Sequence, residues 1–403
     1  MSAKREKPSR YRGLRRLINR AVRFFMYKLY LPAVYRCAAK KPLDPDKAVF
    51  VEVRRPELTN SLSLIYERCE KEGKRVSLHI LRYSVARAPT LIKSCAALMR
   101  DIGDAGCVFI DDACEAMGCF KRRDGQRIVQ VWHGCGAFKR FSFSTADLIF
   151  GYDRKEMLRY PCHVNYTLVP VSGEASIAAY REAFNLGDDP GNIVRSMGVS
   201  RTDVFFDADF LASAAQKVYD AVPAAKGKKV MLYAPTFRGS VSYAEAPELP
   251  DVRRLKEEFG GEYVLLIKQH YLITDFPAVP EDCKDFAFDV SKTLGIDELL
   301  ITADVCIADY SSLVFEYSLM GRPMVFFAPD VDDYCDWRGF YWDYREFVPG
   351  PIVSDTEELI KALRCPGSDS EEKTAAFKEL HMTACDGRST DRLMEYAFGQ
   401  DKH

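Results

Sequence analysis

The chain has 403 residues, 47% hydrophobic and 29% charged, enough to bury more than one core and too long for one average domain. Its 57 Lys and Arg against 58 Asp and Glu leave a formal charge of −1, which argues against a nucleic-acid binder whose whole surface is basic. Thirteen scattered cysteines include no CxxC pair and no His at zinc-finger spacing, which argues against a disulfide framework or structural zinc.

The charge is uneven along the chain. Residues 1–41 hold thirteen Lys and Arg and a single acid, Glu6, a local +12 that leaves −13 for the rest. Between Tyr11 and Leu31, the apolar residues Leu14, Leu17, Ile18, Ala21, Val22, Phe25 and Leu29 recur at helical spacing, with Arg15, Arg16, Arg20, Arg23 and Lys28 among them. This predicts a basic amphipathic helix over the arm 1–41. It is suited to the headgroup layer of an anionic membrane or, alternatively, to docking on the body. No apolar run approaches the roughly 20 residues needed to cross a bilayer, and the arm lacks the apolar core of a signal peptide. The expected location is therefore peripheral, at the cytoplasmic face of the membrane.

After the arm, short apolar runs alternate with helical stretches. Strands are expected at 48–53, 75–81, 106–110, 127–132 and 166–171, with helices at 57–71 and 173–184. A second series follows at 229–233, 263–268, 286–289, 305–308 and 324–327, with helices at 297–303 and 312–320. The polar, Ala-rich stretch 207–227 reads as a helix followed by a linker. The fold class is α/β: two Rossmann-like domains, 42–206 and 207–403, facing one another across a cleft.

Ligands of such sheets lie beyond the carboxyl ends of the strands, where several polar groups cluster. His133, in Trp132-His133-Gly134, is placed for proton transfer or for a structural hydrogen bond. After 229–233 comes Pro235, which breaks the strand, and then Thr236 and Arg238, donors for an anion or part of an ordinary strand exit. Lys268 and His270, flanking Gln269, would share a face of an extended segment and could converge on one phosphate. Ser311 or Ser312 would cap the helix that follows, and Glu316, one turn inside it, could reach ribose hydroxyls. Arg201 suits a phosphate clamp or an ion pair with Asp203 or another acid. The pairs Asp111-Asp112 and Asp332-Asp333 come without a neighbouring His or a further fixed carboxylate, so neither a metal nor another cofactor is expected.

Taken in order, these segments resemble the CDP-glycerol glycerophosphotransferases of bacterial teichoic-acid and capsule synthesis. The resemblance rests on WHG at 132–134, GxxRxD at 198–203, YAPTFR at 233–238, KxH at 268–270 and DYSS at 309–312. It continues through RP at 322–323, RGFYxDY at 338–344, PGP at 349–351 and DG at 386–387. It implies a GT-B type fold, membrane association without spanning, and transfer of glycerol-phosphate or a related polyol-phosphate, with release of CMP. The donor would be CDP-glycerol or a similar CDP-polyol, and the acceptor a hydroxyl of a lipid-linked saccharide or polyol-phosphate. No nucleic acid is implied.

By the same resemblance, His133 is the general base on the acceptor-side domain and His270 a second catalytic residue. Gly134, Cys135 and Gly136 would line the donor site, and Arg201, Pro235, Thr236, Lys268, Gln269, Ser311, Ser312 and Glu316 would hold the CDP donor. The chain departs from the family pattern at Cys135-Gly136, where Thr-Pro is usual, at Ser200 and Tyr271, each in place of Pro, and at Glu316, where Asp is common. A GT-B glycosyltransferase using a nucleotide-sugar donor is the alternative reading.

Overall fold

The computed structural model describes residues 10–399 apart from 84–87, 147, 149–150, 152, 241–242, 274 and 366–369; side chains are described neither there nor at 10–16, 240, 243 and 335–338. The start of the arm, residues 1–9, and the side chains of Leu14, Arg15 and Arg16 therefore lie outside the described residues. The chain gathers into two compact units. One comprises Met1–His133, Arg154–Val169 and Met394–His403, the other Gly134–Asp153 and Pro170–Leu393. This differs from a single boundary after residue 206, because the chain passes between the units more than once and its C-terminal residues return to the first.

In the first unit, β1 (Asp44–Glu52), β2 (Arg75–Ile80), β3 (Ala105–Ile110) and β4 (Arg127–Gln130) form a wholly parallel sheet in the order β2-β1-β3-β4. Ala48, Val49, Phe50 and Val51 are buried without interruption, as expected for a strand covered on both faces. The helix Asn60–Lys71 buries Leu62, Ile65 and Cys69, and Ala88–Ile102 buries Cys95, Leu98, Met99 and Ile102, apolar stripes at three- and four-residue spacing. The expected strand 166–171 shortens to Val169–Val171 and joins Val194–Ser196 in a small separate sheet. One cause is local: the Thr167 hydroxyl takes the N–H of Ile128 at 2.9 Å, occupying the place of a backbone acceptor, so a single bridge, Val129 to Leu168, replaces a ladder.

The arm is helical over Arg10–Phe24, widens to a π-helical turn at Phe25–Tyr30 and continues as Leu31–Ala38. Met26, Tyr27, Leu31 and Tyr35 are buried, with Tyr35 stacked on Phe120 and Arg23 reaching Glu115 and Glu156. The described residues of the expected apolar stripe are a different set: Leu17, Ile18, Val22, Phe25 and Leu29 are all exposed. Among the described residues, no helix is long and apolar enough to cross a membrane.

In the second unit, β5 (Lys229–Tyr233), β6 (Tyr263–Ile267), β7 (Ala287–Asp289), β8 (Val305–Ala308), β9 (Met324–Phe327) and β10 (Ile352–Val353) form a parallel sheet in the order β7-β6-β5-β8-β9-β10. Counted within the unit this is 3-2-1-4-5-6, the doubly wound order. Alternate residues feed separate cores. Val230, Leu232, Val264, Leu266, Cys306 and Ala308 pack into one, and Met231, Tyr233, Leu265, Ile267, Val305 and Ile307 into the other. The stretch after residue 206 is a helix, Ala208–Ala221, whose Asp207 side chain accepts the N–H of Phe210.

Candidate active site

Each sheet reverses its winding at one place, and both places carry buried carboxylates. In the first unit the reversal lies between β1, which ends at Glu52, and β3, which Asp111 follows; both acids are buried. Glu52 Oε1 accepts the N–H groups of Arg54 and Arg55 at 3.0 and 2.9 Å, and Asp111 Oδ2 accepts the Thr59 hydroxyl at 2.8 Å. The remaining oxygens, Glu52 Oε2 and Asp111 Oδ1, are buried and meet no other donor among the described residues. Burial, and then the charge and hydrogen bond of Glu52, push the Asp111 carboxyl well above the usual range. Pushed up to about 8, the Asp111 carboxyl keeps its proton at neutral pH.

Beside this pair, β4 hands the chain to Trp132, which adopts φ +55° and donates its N–H to Gln130 Oε1 at 3.0 Å. That turn carries the His133 ring back over the end of β3. Its Nδ1 lies 3.1 Å from the Asp111 carbonyl and 3.6 Å from Asp112 Oδ2, and the ring stacks on Trp132 at 4.3 Å. His133 is exposed, whereas the Asp112 carboxylate beneath it is buried and paired with Arg54.

In the second unit the reversal falls between β5 and β8. Asp309, buried at the end of β8, accepts the Thr236 N–H at 2.9 and 3.0 Å, the Thr236 hydroxyl at 3.1 Å and Arg238 Nη1 at 2.9 Å. Arg238 also grips Asp330 at 2.6 and 3.0 Å, and Tyr310 donates its hydroxyl to the same Asp330. Burial raises the Asp309 pKa and Arg238 offsets only part of that, while Asp330, less buried and bonded to Arg238, is held below the usual range. Thr236 therefore spends its donors inward, with Pro235 buried beside it.

Other predicted residues gather around the short helix Leu313–Ser318. The Gly134 backbone approaches Ser312, Ser311 Oγ accepts the Leu313 N–H at 3.4 Å, and Cys135 lies against the Glu316 carboxyl. Glu316 is buried and its pKa raised by that burial, partly offset by Arg201. Arg201 is not paired with Asp203, whose carboxylate instead caps Ser389 and Thr390. Its guanidinium reaches Asp297 at 2.7 Å and Glu316 at 3.8 Å. Burial opposes that charge, but the two acids more than offset it and hold Arg201 charged.

Lys268 and His270 go different ways, because both lie past the end of β6, where strand alternation no longer applies. Lys268 Nζ donates to the carbonyls of Ser291 and Leu294, and His270 packs between Phe237 and Tyr271 while its Nδ1 accepts the Leu272 N–H at 3.3 Å. Between them, Gln269 is buried with neither amide atom partnered among the described residues.

Sequence reading missed Glu52, Asp112 as a partner of His133, Asp297 and Asp309. The available signal was an acid closing a fully apolar run, as in Val-Phe-Val-Glu at 49–52 and Val-Phe-Ile-Asp at 108–111. Among the described residues no group of three or more His, Cys, Asp or Glu is arranged to hold a metal ion. Asp332, one of the candidate pair, is bonded to Arg345.

The chain is similar to known proteins over most of its length. The chain is 30% identical over 365 residues to the teichoic acid ribitol-phosphate primase of Bacillus spizizenii, covering 89% of this chain and 92% of that protein. It is 34% identical over 356 residues to the teichoic acid poly(ribitol-phosphate) polymerase of the same organism, covering 88% of this chain but 56% of that relative, so it spans little more than half the polymerase. The fold is shared with the solved wall teichoic acid polymerase TagF, at a TM-score of 0.74 and 23% identity over 97% of this chain and 98% of that one. The model of the CDP-glycerol:poly(glycerophosphate) glycerophosphotransferase family matches residues 33–399. With residues 33–399 so matched, the protein belongs to the CDP-glycerol:poly(glycerophosphate) glycerophosphotransferase family.

Proposed function

We propose that the protein transfers a polyol-phosphate unit, glycerol-phosphate or ribitol-phosphate, from a CDP-activated donor to a hydroxyl of a lipid-linked acceptor in the synthesis of a teichoic-acid or capsule-type polymer, releasing CMP. The observation that carries the reading is His133, an exposed imidazole whose Nδ1 faces two acceptors, in a chain matched to the family over residues 33–399. With the ring proton on Nδ1, the basic nitrogen is Nε2, which would take the proton of the attacking hydroxyl, a contribution of roughly 10²–10⁴-fold where the geometry is right. Phosphoryl transfer is otherwise positioning and charge neutralisation. In this reading the second unit supplies both, through Ser311, Ser312, His270, Gln269 and the loop of Gly134, Cys135 and Gly136, while Arg201, Thr236, Lys268 and Glu316 brace them from within. The two units are then the Rossmann-like halves of a GT-B type transferase.

The arm belongs to the same proposal. Its exposed Leu17, Ile18 and Val22, with Arg20 nearby, would lie in an anionic membrane surface and keep the enzyme beside an acceptor that cannot leave the bilayer.

The test is mass spectrometry of products after incubating the protein and bacterial lipid extract with CDP-glycerol, CDP-ribitol and a panel of UDP-sugars. CMP release with a polyol-phosphate mass added to lipid is the expected result. UDP release with a hexose added would replace this reading by a GT-B glycosyltransferase.

A further inference from the structure

Resting on the reading of His133 as the base, we infer that Asp112 is its positioning carboxylate. It holds the imidazole in the tautomer with the proton on Nδ1 and offsets the charge the ring acquires when Nε2 takes the proton from the attacking hydroxyl. Both neighbours of Nδ1 described above, the Asp111 carbonyl at 3.1 Å and Asp112 Oδ2 at 3.6 Å, are acceptors. A carbonyl has no proton to give, so Nδ1 must be the donor and Nε2 the base.

Asp112 is built to stay in place. Its Oδ1 accepts the Ala113 N–H at 2.6 Å and Arg54 Nη2 at 3.1 Å, and its own carbonyl accepts from Gln130 Nε2, the residue that also turns Trp132. The strained turn at Trp132, the glutamine behind it and the buried carboxylate thus fix one ring position. His270 differs in that its Nδ1 accepts, from the Leu272 N–H, rather than donates.

The Asp111 side chain turns away to Thr59 and only its carbonyl meets the ring, so the carboxylate facing Nδ1 is that of Asp112. Titratable groups near the ring in this unit include His163, beyond Trp132 and kept neutral by burial at a pKa of about 3, and Tyr166 and Cys162, whose ionisation burial opposes. The charged groups at Nδ1 that the two substitutions below alter are Asp112 and its counter-ion Arg54.

Two substitutions shift His133 in opposite directions. Asp112→Asn removes the anion, so the His133 pKa falls and the acidic limb of the kcat/KM profile moves to lower pH. Arg54→Gln removes the cation screening Asp112, so both move to higher pH. The Arg54 side chain is half exposed, which keeps the second variant foldable if the first is damaged.

The experiment uses the full chain, with CMP release from CDP-glycerol and CDP-ribitol and the ring spectrum of His133 in ¹⁵N-histidine-labelled protein, assigned by its loss in His133→Ala. The expected results are an Nδ1-protonated ring, kcat lower in Asp112→Asn by roughly tenfold to a hundredfold with donor KM unchanged, and pKa shifts of opposite sign in the two variants. A ring protonated on Nε2, or a His133 pKa that neither variant moves, overturns the inference. So does wild-type turnover in Asp112→Asn when His133→Ala is inactive, which leaves the base reading standing. Wild-type turnover in His133→Ala removes the base reading, and this inference with it.

Discussion

Replacing Glu52 by Gln tests the proton retained on Asp111 at the first winding reversal. Glu52 Oε1 already accepts two backbone N–H groups, a role the amide oxygen of Gln can keep. The amide NH₂ would then face Asp111 Oδ1, supplying permanently the donor that the wild type obtains only by retaining a proton. The Asp111 pKa is raised in the folded state, first by burial and then by Glu52. The pair's stabilisation is thus fully present below the ordinary carboxylate pKa and is lost as pH rises through the raised value. Within that window the native state binds one proton more than the unfolded chain, so wild-type stability falls by about 1.4 kcal/mol per pH unit from this pair alone. The Gln variant keeps only the part of the slope that burial causes, because the contribution of Glu52 is gone. Relative to wild type, Glu52→Gln should gain up to about 2–3 kcal/mol between about pH 5 and about pH 7. Urea unfolding followed by the fluorescence of Trp132 reads the first unit if Trp337 and Trp342, the other two of the three tryptophans, are replaced by Phe. A gap between variant and wild type that stays constant with pH would refute the part Glu52 plays in raising the Asp111 pKa.

Three further outcomes are expected. Gly136→Ala would drive a methyl into the ring of the fully buried Phe315, costing about 1–3 kcal/mol, read as a lower Tm. Arg238→Met would leave buried Asp309 without its cation and cost about 3–5 kcal/mol; adding Asp309→Asn should recover part of the loss, and simple additivity of the two changes would contradict the pairing. Replacing the exposed Leu17, Ile18 and Val22 by Ser should reduce co-sedimentation with phosphatidylglycerol vesicles by tenfold or more without changing the Tm, since none of the three is buried. Unchanged sedimentation would remove the arm from the membrane reading.

Much of the scaffold was legible because parallel strands buried on both faces are written as unbroken apolar runs. Lys229–Tyr233, Val305–Ala308 and Met324–Phe327 match their expected bounds end to end. The two-residue strand Ile352–Val353 carries too little pattern to be seen, and the stretch ending at Val171 was misplaced because a threonine hydroxyl, invisible to periodicity, takes a ladder position. Around the candidate site, positions were easier to read than directions. Sequence put His133 and Ser311 at strand ends, but it could not show that Arg201 would turn to Asp297, 96 residues away, or that Lys268 would settle on two carbonyls. Nor could it tell which acids are solvated and which, like Glu52, close a buried strand.

The Asp309 carboxylate ties the loop after β5 to the loop after β8 through Thr236 and Arg238. Two segments that could each wander are thereby joined as one stiff piece before anything binds. A ligand meeting that edge of the sheet would find its contacts already assembled, so little ordering entropy would be lost on association. Affinity there would rest on how well the ligand's shape and charge match a preformed surface. It would change little with substitutions that merely loosen more distant loops, and sharply with any that cut this one tie.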